Sequence, residues 1–247
     1  MTQFGFHTTG QQVVEAFPEQ AKGRTFAVTG ASENGLGATT ATSLAHGHPA
    51  AIFLLARSES KITPVIQKIH AIDPSIKAVF VNVDLTDLDS IRAAASAIQS
   101  QTSKLDVLIN NAGAYSPWES YGQSKAANIL FSLELAKRGA ARGLLAFSVH
   151  PGSIYETNLV AHLTQEQVQN IGEMAKSYGF EIDPRKTKEE GCATSLVAAL
   201  DPRVESQSGK YFVDCAVKQQ KAWAADPEDA ARLWTLSEEL VGQKFEL

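Results

Sequence analysis

The chain has 247 residues, 44% of them hydrophobic and 20% charged. That composition excludes disordered and collagen-like chains, and the length suits one large domain or two small ones. A net charge of −5 sets it apart from the basic domains that bind nucleic acid, and no run approaches the ~20 apolar residues of a membrane span. Cys192 and Cys215 are its only cysteines, too few for a disulfide framework or a zinc site. The N-terminus has no basic segment leading into an apolar core, as a secretory leader would. A reducing, cytoplasmic setting is the expectation.

In chain order, Met1–Lys22 reads as an added helix or arm before the first strand. Thr25–Thr29 is a short apolar run ending in Gly30, and Gly37–Ala45 carries the small and apolar residues of a helix. Ala51–Ala56 is a second strand. Ile62, Val65, Ile66 and Ile69 fall at the spacing of one helix face. Ile76–Val83 reads as a strand, Ser90–Ser100 as a helix and Leu105–Ile109 as a strand. Tyr121–Arg138 is a long helix, Leu144–Val149 a strand, Thr187–Leu200 a helix and Lys210–Val213 a last short strand. Ala222–Leu247 is a charged tail expected to pack as a helix, with Asp226, Glu228 and Asp229 at a solvated helix start. Strand and helix taking turns imply an α/β fold with a doubly wound parallel sheet. No repeat or linker divides the chain, so one domain is expected. The stretch 155–186 is mixed and poor in strand signal. It stands where a substrate lid would lie, and a plain surface excursion is an equal reading.

The first strand runs into Thr29-Gly30-Ala31-Ser32-Glu33-Asn34-Gly35-Leu36-Gly37, and a helix follows. Glycines let the backbone turn sharply and approach a pyrophosphate, and the helix start offers free N–H groups to the anion. At the end of the second strand an acidic side chain would hold a ribose 2′-hydroxyl, whereas an arginine accommodates a 2′-phosphate. Arg57 stands there and favours NADP over NAD. A solvated arginine is the plain alternative, and Glu33 is an awkward neighbour for a phosphate. Asp84, after the third strand, is placed either to accept from an adenine amino group or to cap the helix that follows.

Three further motifs make the chain similar to the short-chain dehydrogenase/reductase family: Asn110-Asn111-Ala112-Gly113 after the fourth strand, Tyr121-Gly122-Gln123-Ser124-Lys125, and Pro151-Gly152 followed by Thr157. The resemblance spans about Lys22 to Tyr211 and leans toward the branch of retinol dehydrogenases and related fungal oxidoreductases. It implies a Rossmann-like fold and an NADP cofactor. Gly30, Ser32, Gly35, Leu36 and Gly37 would line the pyrophosphate, and Arg57 would face the 2′-phosphate. Asp84 and Leu85 would flank the adenine, Asn110 and Ala112 the ribose region, and Pro151, Gly152 and Thr157 the nicotinamide amide. Tyr121 would be the acid/base, and Lys125 would bind the nicotinamide ribose and lower the tyrosine's pKa. Residues four apart share a helix face, and an ammonium beside a phenol favours the phenolate, which suits proton exchange with an alcohol or ketone oxygen. No metal is implied.

The chain departs from the family pattern in one place. Between Gly113 and Tyr121 stand only Ala114-Tyr115-Ser116-Pro117-Trp118-Glu119-Ser120. Family members carry several dozen residues there, forming a helix with a relay asparagine and a strand with the catalytic serine about a dozen residues before the tyrosine. Ser116, Ser120 and Ser124 lie near in sequence without marking a replacement. A gap in the sheet would leave buried backbone groups unpaired, at about 1–3 kcal/mol each. The expectation is therefore closure: Tyr121–Arg138 takes the place of the lost helix, Leu144–Val149 pairs beside Leu105–Ile109, and the sheet has six strands in place of seven. The lost donor would cost about 10²–10³ in rate.

Three functions follow from these residues. The first is an NADP(H)-binding oxidoreductase for a small alcohol or carbonyl compound, impaired or altered by the missing segment. The second is a non-redox isomerase or cyclase in the same cleft, and the third is a catalytically silent binding protein. The apolar residues of Tyr121–Arg138 wrap more than one face and suggest burial on both sides, with a homodimer through that helix. His150 and the two cysteines read as packed structural residues, and Trp118 as a plug at the shortened connection.

Overall fold

In the computed structural model the described residues are 3–112, 118–154 and 184–247. Thr157 and the excursion 155–186, apart from Pro184–Lys186, lie outside them. So do Ser116 and the side chains of Trp118, Ser120 and Tyr121.

The N-terminal arm is helical, as expected. Thr9 opens α1 (Gly10–Ala16): its hydroxyl accepts from the Gln12 amide and the Gln12 side chain accepts from the Thr9 amide, a reciprocal cap that satisfies two donors. Val13 and Val14 are wholly buried, so the arm is part of the core. A short α2 (Pro18–Ala21) leads into β1 (Thr25–Thr29).

The remaining elements are α3 (Leu36–Ala45), β2 (Ala51–Ala56), α4 (Thr63–Ile72), β3 (Lys77–Asn82), α5 (Leu88–Gln99), β4 (Val107–Ile109), α6 (Trp118–Gly139), β5 (Ser148–His150), α7 (Lys188–Gly191), α8 (Ala193–Leu200), β6 (Tyr211–Val213), β7 (Ala216–Val217) and α9 (Pro227–Val241). Every residue of β1 and β2 is buried, as continuous apolar strands covered on both faces must be. Phe26, Val28, Ile52 and Leu54 pack with α1, α3, α4 and α8 in one core cluster. Ala27, Phe53, Leu55 and Val81 point the other way, toward Ala94 and Ile98 of α5. Asp226 caps α9 through the amides of Glu228 and Asp229, which matches the helix start read from the sequence.

The parallel α/β architecture is as expected, with strand order β3-β2-β1-β4. The expected closure is not what the chain does. Among the described residues, β4 pairs only with β1, and β5 begins a second sheet of order β5-β6-β7. Thus the six-stranded sheet with Leu144–Val149 beside Leu105–Ile109 is corrected: the described strands form two sheets, of four and three strands.

Two physical terms explain the break. The penalty assigned to a gap assumes buried backbone, yet Leu108 of β4 is 52% exposed and Leu145, just before β5, is 47% exposed. Residues at this break reach the surface, where backbone groups can bond to water at far smaller cost than in a core. In addition, β5 is anchored elsewhere: it pairs with β6 from Ser148↔Tyr211 to His150↔Val213 and packs against α8, which lies on α1 and α3. Moving β5 over by one strand spacing, ~4.8 Å, would pull α8 from the α1–α3 core in exchange for the few hydrogen bonds of a three-residue strand, each about 1 kcal/mol.

Helix α6 has β5 and α9 among its neighbours. Phe131 stacks on Trp234 at 5.5 Å, and Arg138 lies over the same indole at 4.9 Å. Glu134 is buried and accepts from Arg138 Nε at 2.7 Å. Phe131 remains 39% exposed in the single chain.

Candidate active site

The order of the four-stranded sheet reverses at β1, between β2 and β4. The crevice beyond the C-terminal ends of such strands is where ligands bind in open α/β sheets. The glycine loop fills that position. Gly30 sits at φ +66, in the left-handed region, and a Cβ there would lie 2.9 Å from the Ala112 Cβ. A Cβ at Gly37 would lie 2.7 Å from both the Gly30 carbonyl oxygen and Asn111 Nδ2. The loop therefore lies against the segment after β4 with no room for side chains. Gly35 is the N-cap of α3 and gives it no side-chain cap, which leaves first-turn N–H groups available to an anion. Ser32 and Leu36 flank that turn: the Ser32 carbonyl accepts from the Gly35 amide at 3.0 Å, and α3 starts at Leu36.

Asn111, which the sequence reading passes over, fastens this arrangement. Its Nδ2 donates to the carbonyls of Thr29 (3.1 Å) and Gly30 (3.3 Å). The Ala112 amide donates to Thr29 Oγ1 at 3.0 Å. The available signal was the doubled asparagine: adjacent residues in extended backbone point to opposite sides, so one of the pair faces the loop. Asn110 is the exposed one.

Arg57 is exposed at the end of β2, and its carbonyl accepts from Asn82 Nδ2 at 3.2 Å. Glu33, the awkward neighbour, ion-pairs with Lys68 of α4 at 3.1 Å, and its amide donates to the Lys61 carbonyl. Its charge is thus partly offset by a lysine.

Asp84 does not cap the helix that follows, one of the two roles the sequence left open; it holds the turn before it. Its carboxylate accepts from the Thr86 amide (2.9 Å) and hydroxyl (2.7 Å). Those two bonds, the amide first, hold its pKa below the ordinary carboxylate value, with Arg57 adding a smaller attraction. The adjoining Leu85 is 46% exposed. Asp87, not Asp84, caps α5 itself.

At the other end, Gly152 adopts φ +86, and its amide donates to His150 Nδ1 at 3.2 Å. His150 is therefore a turn-shaping residue, as its structural reading implies. Pro151 and Gly152 follow directly on β5. Tyr121 and Lys125 share helix α6, and burial pushes the Lys125 ammonium below its ordinary pKa. Cys192 is wholly buried, and burial raises its thiol to about 11, consistent with an inert filler. Among the described residues, no cluster of three His, Cys, Asp or Glu side chains is placed to hold a metal, and no helix is long and apolar enough to cross a membrane.

A parallel sheet whose order reverses beside a glycine-rich loop is the arrangement of dinucleotide-binding α/β folds. A family model described as short chain dehydrogenase matches residues 24–119. Retinol dehydrogenase 12 of Mus musculus is 27% identical over 292 aligned residues, covering 92% of this chain and 89% of that protein. Retinol dehydrogenase 11 of Homo sapiens is 29% identical, covering 90% and 87%. A short-chain dehydrogenase/reductase structure from Serratia marcescens superposes with a TM-score of 0.64 at 18% identity, over 78% of this chain and 96% of that one. The chain is thus similar to short-chain dehydrogenases/reductases, oxidoreductases that use a nicotinamide dinucleotide, in a family-model match over residues 24–119 and in relatives that align along most of its length. An alignment of 292 positions against a chain of 247 leaves dozens of gaps on this chain's side, in agreement with a missing internal block.

Proposed function

We propose that this chain binds NADP(H), in preference to NAD(H), and turns over a small alcohol or carbonyl compound at a rate much reduced by the missing helix–strand unit. The observation that carries the reading is the cradle itself. A Cβ at Gly37 would strike the Gly30 backbone, so α3 packs directly on the loop, the close approach that dinucleotide-binding turns require of this glycine. Among the described residues the fit is of uncapped amides of α3 to the pyrophosphate, Arg57 to the 2′-phosphate, and Pro151 and Gly152 to the nicotinamide. When bound, the nicotinamide supplies or accepts the hydride.

On the protein's side, Tyr121 exchanges a proton with the substrate oxygen. Lys125 favours the phenolate, the more strongly because partial burial weakens solvent screening. The family's third member, a serine on the strand before the tyrosine, has no counterpart in the sequence. The break between β4 and β5 also favours a second reading, a nucleotide-binding protein without turnover.

Fluorescence titration with NADPH and NADH tests the proposal. Saturable NADPH enhancement is expected, with NADH binding more weakly. Arg57→Ala should weaken NADPH by about tenfold or more, the worth of a charge-assisted contact of about 1.5–3 kcal/mol, and leave NADH unchanged. Equal affinity of the wild-type chain for the two cofactors would overturn the preference. Turnover of a ketone panel separates the first reading from the second.

A further inference from the structure

We propose that Lys186 is a positioning residue for the nicotinamide end of the site, acting through Gly152; this deepens the cofactor reading above and rests on it. Lys186 is only 4% exposed, an unusual state for a lysine. Its Nζ lies 2.5 Å from the Asp214 carboxylate and 4.5 Å from the centre of the Phe6 ring. Its aliphatic stem lies against Gly152: a Cβ there would come within 2.7 Å of Lys186 Cδ. Its backbone amide donates to the Ser153 carbonyl at 3.0 Å, beside a parallel bridge between Ser153 and Arg185. One side chain therefore joins the segment after β5, the turn after β6 and the N-terminal arm.

The Asp214 end of this contact is itself unusual. Asp214 and Cys215 both adopt positive φ, +52 and +64, in the two-residue connection between β6 and β7. Tight hairpins of that kind favour asparagine and glycine at these positions. A cysteine there is strained, and strain of this sort persists only where the surroundings over-determine it. The surroundings here are the Lys186 ion pair on Asp214 and the Thr194 hydroxyl, which accepts from the Cys215 amide at 3.2 Å. The turn and the lysine hold each other, and the lysine stem backs the Gly152 turn.

The adenine end of the crevice, at Arg57 and Asp84, belongs to other elements. Loss of the clamp should therefore weaken only what the Pro151–Gly152 segment contacts. The experiment compares NADPH with 2′,5′-ADP, which retains the adenosine and 2′-phosphate and lacks the nicotinamide. Lys186→Met should weaken NADPH about tenfold, within the range of coupling through packed contacts, and move 2′,5′-ADP less than about twofold. Asp214 is the more exposed partner, its side chain 42% exposed, so Asp214→Asn is the better-tolerated variant. It should show the same selective loss, and the double variant should be no worse than Lys186→Met alone. Equal weakening of both ligands, or no weakening of NADPH, in a variant that keeps its thermal transition overturns the clamp. If Lys186→Met does not fold, Asp214→Asn decides by the same criterion. A wild-type chain that binds neither ligand overturns the cofactor reading, and the clamp with it.

Discussion

Gly37→Val should lose NADPH affinity by at least about a hundredfold. The added Cβ alone would sit 2.7 Å from the Gly30 carbonyl oxygen and 2.7 Å from Asn111 Nδ2. Neither obstacle is a free side-chain tip. The carbonyl is backbone, and Asn111 Nδ2 already serves the carbonyls of Thr29 and Gly30. Room for valine is made only by opening the contact between α3 and the loop, which moves the amides meant for the pyrophosphate. Overpacking costs about 1–3 kcal/mol, and a loss of about 2.7 kcal/mol is a hundredfold in affinity. Isothermal titration measures the affinity, and circular dichroism checks that the thermal transition survives. An unaffected affinity would place the dinucleotide somewhere other than this crevice.

The second large effect concerns the missing unit. Inserting a family-type helix and strand between Ala112 and Trp118, with a serine about a dozen residues before Tyr121, should raise ketone reduction by about a hundredfold, the usual worth of a hydroxyl donor at the reacting oxygen. The same insertion should pair the edges of β4 and β5 that have no strand beside them among the described residues, and cover Leu108, now 52% exposed. Binding of a hydrophobic dye should fall together with the gain in rate. The inserted chain with alanine for the serine should keep the structural gain and lose the catalytic one. If both inserted chains are as slow as the parent, the missing unit is not what limits the chemistry.

The cofactor half of the fold was legible because its signals are local. Thr25–Thr29, the loop to Gly37 and the helix behind it are contiguous in sequence. The apolar runs of β1 and β2 leave no choice but burial on both faces. Asn110-Asn111-Ala112-Gly113 was legible as a motif, yet which asparagine fastens the loop depends on side-chain direction, and Asn111 was passed over. Asp84 reads equally as a helix cap or an adenine partner because the two aspartates before α5 look alike in sequence, and only the fold gives the cap to Asp87.

The break in the sheet was not legible, for a different reason. It is decided by α8 lying on α1 and α3, elements that sequence places about 150 to 190 residues apart, and by water reaching β4. A local penalty for an unpaired strand said nothing about either. The clamp at Lys186 was hidden for the same cause. Phe6, Gly152, Lys186 and Asp214 share no motif, and only the folded chain gathers them.

A nucleotide crevice that outlasts the loss of its neighbouring unit should still bind its cofactor. A titration of the unmodified chain with NADPH, followed by competition with 2′,5′-ADP, addresses it most directly. One saturable site per chain, emptied by the competitor, is the expected result. An absence of any saturable signal up to millimolar NADPH, from a chain that melts cooperatively, would contradict it.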